Sequence, residues 1–251
     1  MSIHIRVVTP VVPTGLTKAS DFEGILSSSD RVTFTEIENG PASVKTAFDA
    51  MAAAPDVVAK IIEAEEIGAD AVVIDCMEEP GLQPGRECVS IPVLGPCQTV
   101  MGIACNLGHR FSILAVAPNM RVLFENKARI SAAWEKYAST RSVDIAVANL
   151  AAEPQLLKEN LLEQAMLAIE IDAADTLILG CTGMIDVAQW LQQRLHDAGQ
   201  PVPVLDPMPL TIRIAKVLAQ SGVSHSKAAY PSLARRQLRG YENSTLKKFS
   251  T

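Results

Sequence analysis

Short apolar runs alternate with helix-forming stretches along this chain, which predicts an α/β protein with parallel sheets. Two segments repeat one another in the same order, which predicts that one α/β unit is used twice. Capacity is sufficient: 251 residues, 48% of them apolar, can fill one large domain or two of ordinary size.

Residues 3–8 form a strand ended by Thr9-Pro10, and residues 31–37 alternate as a second strand. The polar segment between them has room for a short helix. Asn39-Gly40-Pro41 makes a turn, after which Ser43 is expected to cap a helix through Met51 that Pro55 restarts and carries to about Ile67. Gly68 stops it. Residues 71–75 are continuously apolar up to Asp75, as suits a strand buried on both faces. Similar runs recur at 93–94, 112–117, 143–148, 176–179 and 202–205, with helical stretches between them.

The repeat is anchored at three places. Ala69-Asp70 through Asp75-Cys76 matches Ala174-Asp175 through Gly180-Cys181, 105 residues later, with Ala, Asp and Cys identical. Pro92-Val93-Leu94 and Pro96 match Pro203-Val204-Leu205 and Pro207 at an offset of 111, followed by Ile103-Ala104 and Ile214-Ala215. Val7-Val8-Thr9-Pro10 weakly echoes Ala115-Val116-Ala117-Pro118 at an offset of 108.

Composition removes several function classes. With 22 Lys plus Arg against 28 Asp plus Glu and no run of like charge, the chain offers no polybasic patch for nucleic acid. The long uncharged stretch 88–109 is broken by Pro92, Gly95, Pro96, Gly102 and Gly108, so no membrane span is expected. The first residues lack a signal-peptide pattern, and a cytoplasmic protein is expected. Five cysteines, at 76, 88, 97, 105 and 181, form no C-x-x-C pair and read as free thiols. The histidines at 4, 109, 196 and 225 show no metal-ligand spacing.

A cysteine at the carboxyl end of a parallel strand delivers its thiol to the edge where open α/β sheets bind ligands. Cysteine is also a common core residue, but Cys76 and Cys181 stand at matched positions of a repeat, each followed closely by glycine. Two thiols on opposite walls of one cleft can invert a carbon centre, one as base and the other as acid, and exchange those roles in the reverse direction. Met77 to Gly81 and Thr182-Gly183 then read as strand-to-helix turns whose N–H groups can hold a carboxylate or imide oxygen.

With these motifs the chain resembles the aspartate/glutamate/hydantoin racemase superfamily, and within it the hydantoin and allantoin racemases. Besides the two cysteine segments, the resemblance is carried by Gly40-Pro41-Ala42-Ser43-Val44, Pro80-Gly81 with Arg86-Glu87, Ile91-Pro92-Val93-Leu94-Gly95, Leu107-Gly108-His109-Arg110-Phe111-Ser112 and Leu179-Gly180-Cys181-Thr182-Gly183-Met184. It implies two flavodoxin-like parallel-sheet domains related by a pseudo-twofold axis, an active site between them, no cofactor, and Cys76 and Cys181 as the paired acid and base. The expected division is residues 1–103 plus 208–251 for the first domain and 104–207 for the second.

This sequence departs from the family's pattern at two places. Members usually carry Asn-Pro-Asn and then Ser or Thr after the first strand, where this chain has Thr9-Pro10-Val11-Val12. After the first cysteine stand Met77-Glu78-Glu79. The two carboxylates read either as ordinary solvated surface or as cleft groups; Glu78 is placed in the expected substrate-binding set, where its charge disfavours dicarboxylates and favours a neutral cyclic amide or a cationic group, and Glu79 is expected to face outward. Thr9, Val11, Val12, Met77, Glu78, Gln98, Thr182 and Gly183 make up the expected substrate-binding set. His109-Arg110 reads as a turn before a strand, and Arg235-Arg236, Arg239 and Lys247-Lys248 as a solvated basic tail.

The expected protein is a cofactor-independent racemase, without metal, acting on a hydantoin-like, allantoin-like or related amide carbonyl compound and assembling as a homo-oligomer. Alternatives are a decarboxylase or cis-trans isomerase on the same fold, resembling arylmalonate decarboxylase or maleate isomerase, and a thiol sensor or small-molecule binding protein.

Overall fold

A computed structural model describes residues 2–15 and 19–232. The basic tail inferred from Arg235 onward lies outside them. The chain divides into two compact units, Met1–Pro96 with Thr211–Thr251, and Cys97–Leu210. These borders lie seven residues before, and three residues after, the 103/104 and 207/208 divisions expected from sequence. Both fall in helices, α3 (Pro96–Leu107) and α7 (Pro207–Gln220), so no loop composition marks them.

In the first unit four strands, β1 (His4–Thr9), β2 (Arg31–Glu36), β3 (Ala71–Ile74) and β4 (Val93–Leu94), form a parallel sheet in the order β2-β1-β3-β4. A short 3-10 helix, Ala19–Phe22, lies between β1 and β2, and Phe22 packs on Phe34 of β2. Helix α1 (Ala47–Glu66) crosses from β2 to β3. Ala53, Val57, Ile61 and Ala64 recur at helical spacing and bury the same face into the core with Val8, Val72 and Ile74. Its cap differs from expectation: Thr46, not Ser43, accepts from the Asp49 N–H while Asp49 returns to the Thr46 N–H. That reciprocal capping box satisfies two otherwise orphaned donors. Pro55 lies inside one unbroken helix rather than restarting it. Its missing N–H gives up one bond to the carbonyl of Met51, a residue exposed to water.

β4 is the open edge of this sheet, and the segment after α7 covers it. The Val93 N–H donates to His225 Nε2 at 2.8 Å, and Arg86 Nε donates to the Val93 carbonyl at 3.1 Å. Lys227 donates to the carbonyls of Arg86 and Val89, and Arg86 also reaches the Tyr230 hydroxyl. An edge strand whose outer groups are paired in this way cannot template another chain.

The second unit repeats the plan with β5 (Phe111–Ala115), β6 (Tyr137–Ser142), β7 (Thr176–Leu179) and β8 (Val204–Leu205) in the order β6-β5-β7-β8. Helices α4 (Met120–Ile130), α5 (Pro154–Glu170) and α6 (Ala188–Asp197) make the crossovers. Pairing of Ile5 with Ala71 and of Phe111 with Thr176 sets the β1-to-β5 offset at 106, not the 108 inferred from the weak sequence echo. The strand expected at 143–148 is instead Tyr137–Ser142. β6 is an edge strand that needs no apolar run, and its polar side chains are paired: Arg141 makes a two-pronged bond to Asp172, and Ser139 joins Ser112 and Asp172. Val143 and Ile145, which produced the apolar signal, are core residues just beyond the strand.

The identical aspartates of the repeat do the same work twice. Asp70 accepts from the His4 N–H at the start of β1, and Asp175 accepts from the His109 and Arg110 N–H groups at the start of β5. Burial pushes the Asp175 carboxyl up, but the Arg110 and His109 donors outweigh it and hold the group below its usual range. His109 and Arg110 thus contribute their backbone here, as a turn before a strand should.

Candidate active site

Both sheets end at their carboxyl edge in a cysteine two residues past the third strand in chain order. In the first unit the Asp75 N–H extends the β1–β3 ladder to the Val8 carbonyl, and the Cys76 N–H turns back to Ile74 at 3.0 Å. Cys76 is half-buried and packs on the core of its unit. Beside it, Thr9 is buried at the end of β1 and donates its hydroxyl to Asp75 Oδ2 at 3.2 Å. Val11 and Val12 follow, half-buried, with the Val12 N–H held by the Pro41 carbonyl.

The turn after Cys76 closes when the Glu79 N–H donates to the Cys76 carbonyl at 3.0 Å. Met77 is buried and Glu78 half-buried. Glu79, expected to face outward, is 6% exposed and sits at φ 56, so the left-handed backbone turns its side chain inward. Gly81, at φ 76, precedes α2 (Leu82–Cys88). A Cβ there would press on the Ala54 carbonyl and Val58, each at 3.2 Å, so conformation and space both require glycine.

In the second unit Cys181 follows Gly180, where a Cβ would lie 2.9 Å from the Ala115 Cα and the Leu114 carbonyl. The Met184 N–H closes the matching turn onto the Cys181 carbonyl at 3.2 Å. Cys181 and Thr182 are half-buried, Gly183 is exposed, and a Cβ on Gly183 would lie 3.6 Å from the Cys181 Sγ. The sulfur therefore rests over backbone that carries no side chain.

The structure thus gathers Thr9, Cys76, Met77 and Glu78 at one sheet edge, and Cys181, Thr182 and Gly183 at the other. Gln98 is the third residue of α3, half-buried, and falls in the second unit although the helix starts in the first. Sequence reasoning missed Asp75, Glu36 and the inward Glu79. Glu36 is register partner of Thr9 and keeps one buried carboxylate oxygen without a hydrogen-bond partner. Its only sequence signal is its place at the end of an alternating strand.

The remaining cysteines stand apart. Burial pushes the Cys88 thiol up to about 11, helped by the Glu87 charge. Burial also raises the Cys105 thiol, against the pull of Lys136. Both are held protonated, unlike a working thiolate, and Cys97 is fully buried. Among the described residues no cluster of three His, Cys, Asp or Glu side chains is arranged to hold a metal, and no helix is long and apolar enough to cross a membrane.

Comparison with known proteins agrees with this plan. The family model for Asp/Glu/Hydantoin racemase matches residues 20–215. A hydantoin racemase of Rhizobium meliloti is 30% identical over 237 residues, covering 92% of this chain and 96% of its own. The allantoin racemase of Klebsiella pneumoniae superposes with a TM-score of 0.89 at 25% identity, over 97% of this chain and 99% of its own. That of Pseudomonas fluorescens gives 0.86 at 26% identity, over 95% and 100%.

Proposed function

Since the chain belongs to the Asp/Glu/hydantoin racemase family, we propose that it is a cofactor-independent racemase of a hydantoin-like, allantoin-like or related cyclic amide, with Cys76 and Cys181 as its two acid–base groups. The observation that carries this reading is the matched placement of the two thiols. Each stands two residues beyond an equivalent strand, in an equivalent turn, while Cys88 and Cys105 are held as thiols and Cys97 is buried.

In the proposed reaction one thiolate removes the hydrogen from the carbon next to the amide carbonyl, and the bonding pair moves onto the carbonyl oxygen. The second thiol returns a proton to the other face of that carbon and becomes the thiolate. The bond broken and the bond formed are both C–H, so the products differ from the reactants only in configuration and in which sulfur carries the charge. N–H groups of the Met77–Glu78 and Thr182–Gly183 turns serve as the donors that meet the developing oxyanion. Thr9 and Asp75 steady the strand end that carries Cys76, and Val11, Val12 and Met77 supply apolar contact. Glu78 adds negative charge to the Cys76 loop, which fits a substrate with no free carboxylate. Gln98 provides a neutral hydrogen-bonding amide. Reduced thiols of this kind suit the cytoplasm.

The test is a panel of single-enantiomer hydantoins, allantoin and amino acids in deuterated water, followed by optical rotation and mass. Loss of rotation with one deuterium gained per inverted molecule, for a cyclic amide and not for aspartate or glutamate, supports the reading. Rotation lost only with release of carbon dioxide, or no turnover across the panel, contradicts it.

A further inference from the structure

The two units solve the start of one helix in different ways. The turn closed on Cys76 ends at Glu79, and the turn closed on Cys181 ends at Met184, its counterpart 105 residues later. Both are buried, at 6% and 1% exposure, although one carries a carboxylate and the other a thioether. The helix that follows the fourth strand of each unit is preceded by Leu94-Gly95-Pro96 in one case and Leu205-Asp206-Pro207 in the other. Where the second unit has Asp206, the first has Gly95. A Cβ built on Gly95 would collide with the Cγ, Cδ and Oε1 of Glu79, so the Glu79 carboxyl group fills the space a side chain at position 95 would take.

The exchange is reciprocal: Met184 with Asp206 in one unit, Glu79 with Gly95 in the other. The first turn of a helix leaves N–H groups unsatisfied, and an aspartate just before it is among the best partners for them. Its negative charge also suits the positive end of the helix dipole. We propose that Glu79 is a positioning residue for Cys76: its carboxylate fills, from the cysteine loop, the place before α3 that matches the one Asp206 takes by sequence before α7, and serves there as a helix cap. The loop bearing Cys76 is thereby tied to Gly95, the residue just before α3. The left-handed backbone at Glu79, uncommon for a residue with a side chain, is what turns the carboxylate toward Gly95.

This rests on the proposed function only in treating the Cys76 thiol as the working group, and its test needs no substrate. Glu79→Met, Gly95→Asp, Glu79→Gln and the Glu79→Met/Gly95→Asp double variant are compared by thermal melting and by iodoacetamide labelling, with Cys76 and Cys181 peptides quantified separately. Glu79→Met should lower Tm and change labelling at Cys76 by about fivefold, the shift a lost cap produces, while Cys181 stays within about twofold. Glu79→Gln keeps an acceptor in place but gives up the charge at the helix end, so its losses should be clearly smaller than those of Glu79→Met. The double variant, which copies the second unit, should recover both Tm and Cys76 labelling relative to either single change. Wild-type labelling and melting in Glu79→Met, Glu79→Gln as damaging as Glu79→Met, or a double variant no better than the worse single, would each overturn the proposal. If Gly95→Asp alone does not fold, the comparison of Glu79→Met with Glu79→Gln and with the double variant still decides. Normal behaviour of these readouts in a protein that racemizes nothing would count against the proposed function and leave the role of Glu79 standing.

Discussion

Lowering the pH from 7.5 to 4 should charge His225 and loosen the strap over β4. The Val93 N–H donates to Nε2 of this ring, which must be unprotonated to accept it. Burial, then the charges of Arg86 and Lys227, lowers the pKa of His225 from 6.5 to about 4. A histidine depressed in the folded state contributes no penalty above the unfolded value of 6.5, and the protein loses stability as pH falls from 6.5 through 4. Holding the ring at about 4 against 6.5 in the unfolded chain corresponds to a ceiling of about 3.4 kcal/mol. The ring is only half-buried, and solvent screening reduces this to about 1–2 kcal/mol. His225→Gln supplies an acceptor that does not titrate. Melting both proteins across this range should show the variant gaining on wild type by about 2–6 °C between pH 7.5 and pH 4. A Tm difference that is flat with pH would refute the argument.

Gly180→Ala should be among the most damaging small substitutions, because its Cβ meets the Ala115 Cα and Leu114 carbonyl at 2.9 Å and backbone cannot move aside; a melt should show a loss of about 2–3 kcal/mol. Asp70→Ala and Asp175→Ala, which remove equivalent acceptors from β1 and β5, should each cost about 1 kcal/mol, measured by denaturant unfolding. Cys88→Ser, Cys97→Ser and Cys105→Ser should keep racemase activity. At pH 8 iodoacetamide should label Cys76 and Cys181 before Cys88, whose thiol lies near 11, and a chelator should leave activity unchanged.

The sequence made the central strands legible because β3 and β7 are buried on both faces and must be apolar throughout. Their shared Ala-Asp…Cys frame exposed the repeat, since the same aspartate cap and the same strand-end turn are needed in each sheet. β6 escaped because an edge strand can satisfy itself with Ser, Thr and Arg side chains, leaving the apolar signal on Val143 and Ile145 beyond it. Thr46 rather than Ser43 became the cap because Asp49, three residues on, completes a capping box. Of the two glutamates after Cys76, residue types and spacing give no orientation. The positive φ of Glu79, set by the turn, decides which one is buried. The strap from His225 to Tyr230 was illegible because its bonds join residues more than 130 positions apart.

Isotope exchange by Cys76→Ser and Cys181→Ser, with single enantiomers of whichever cyclic amide the wild type racemizes, tests the two-thiol mechanism most directly. The two-thiol mechanism predicts that each variant loses racemization, by about a thousandfold or more for a missing acid–base group. It also predicts that one variant still exchanges the α-hydrogen of one enantiomer for deuterium, and the other variant that of its mirror image. Racemization at the wild-type rate by either single variant would contradict the assignment of both thiols.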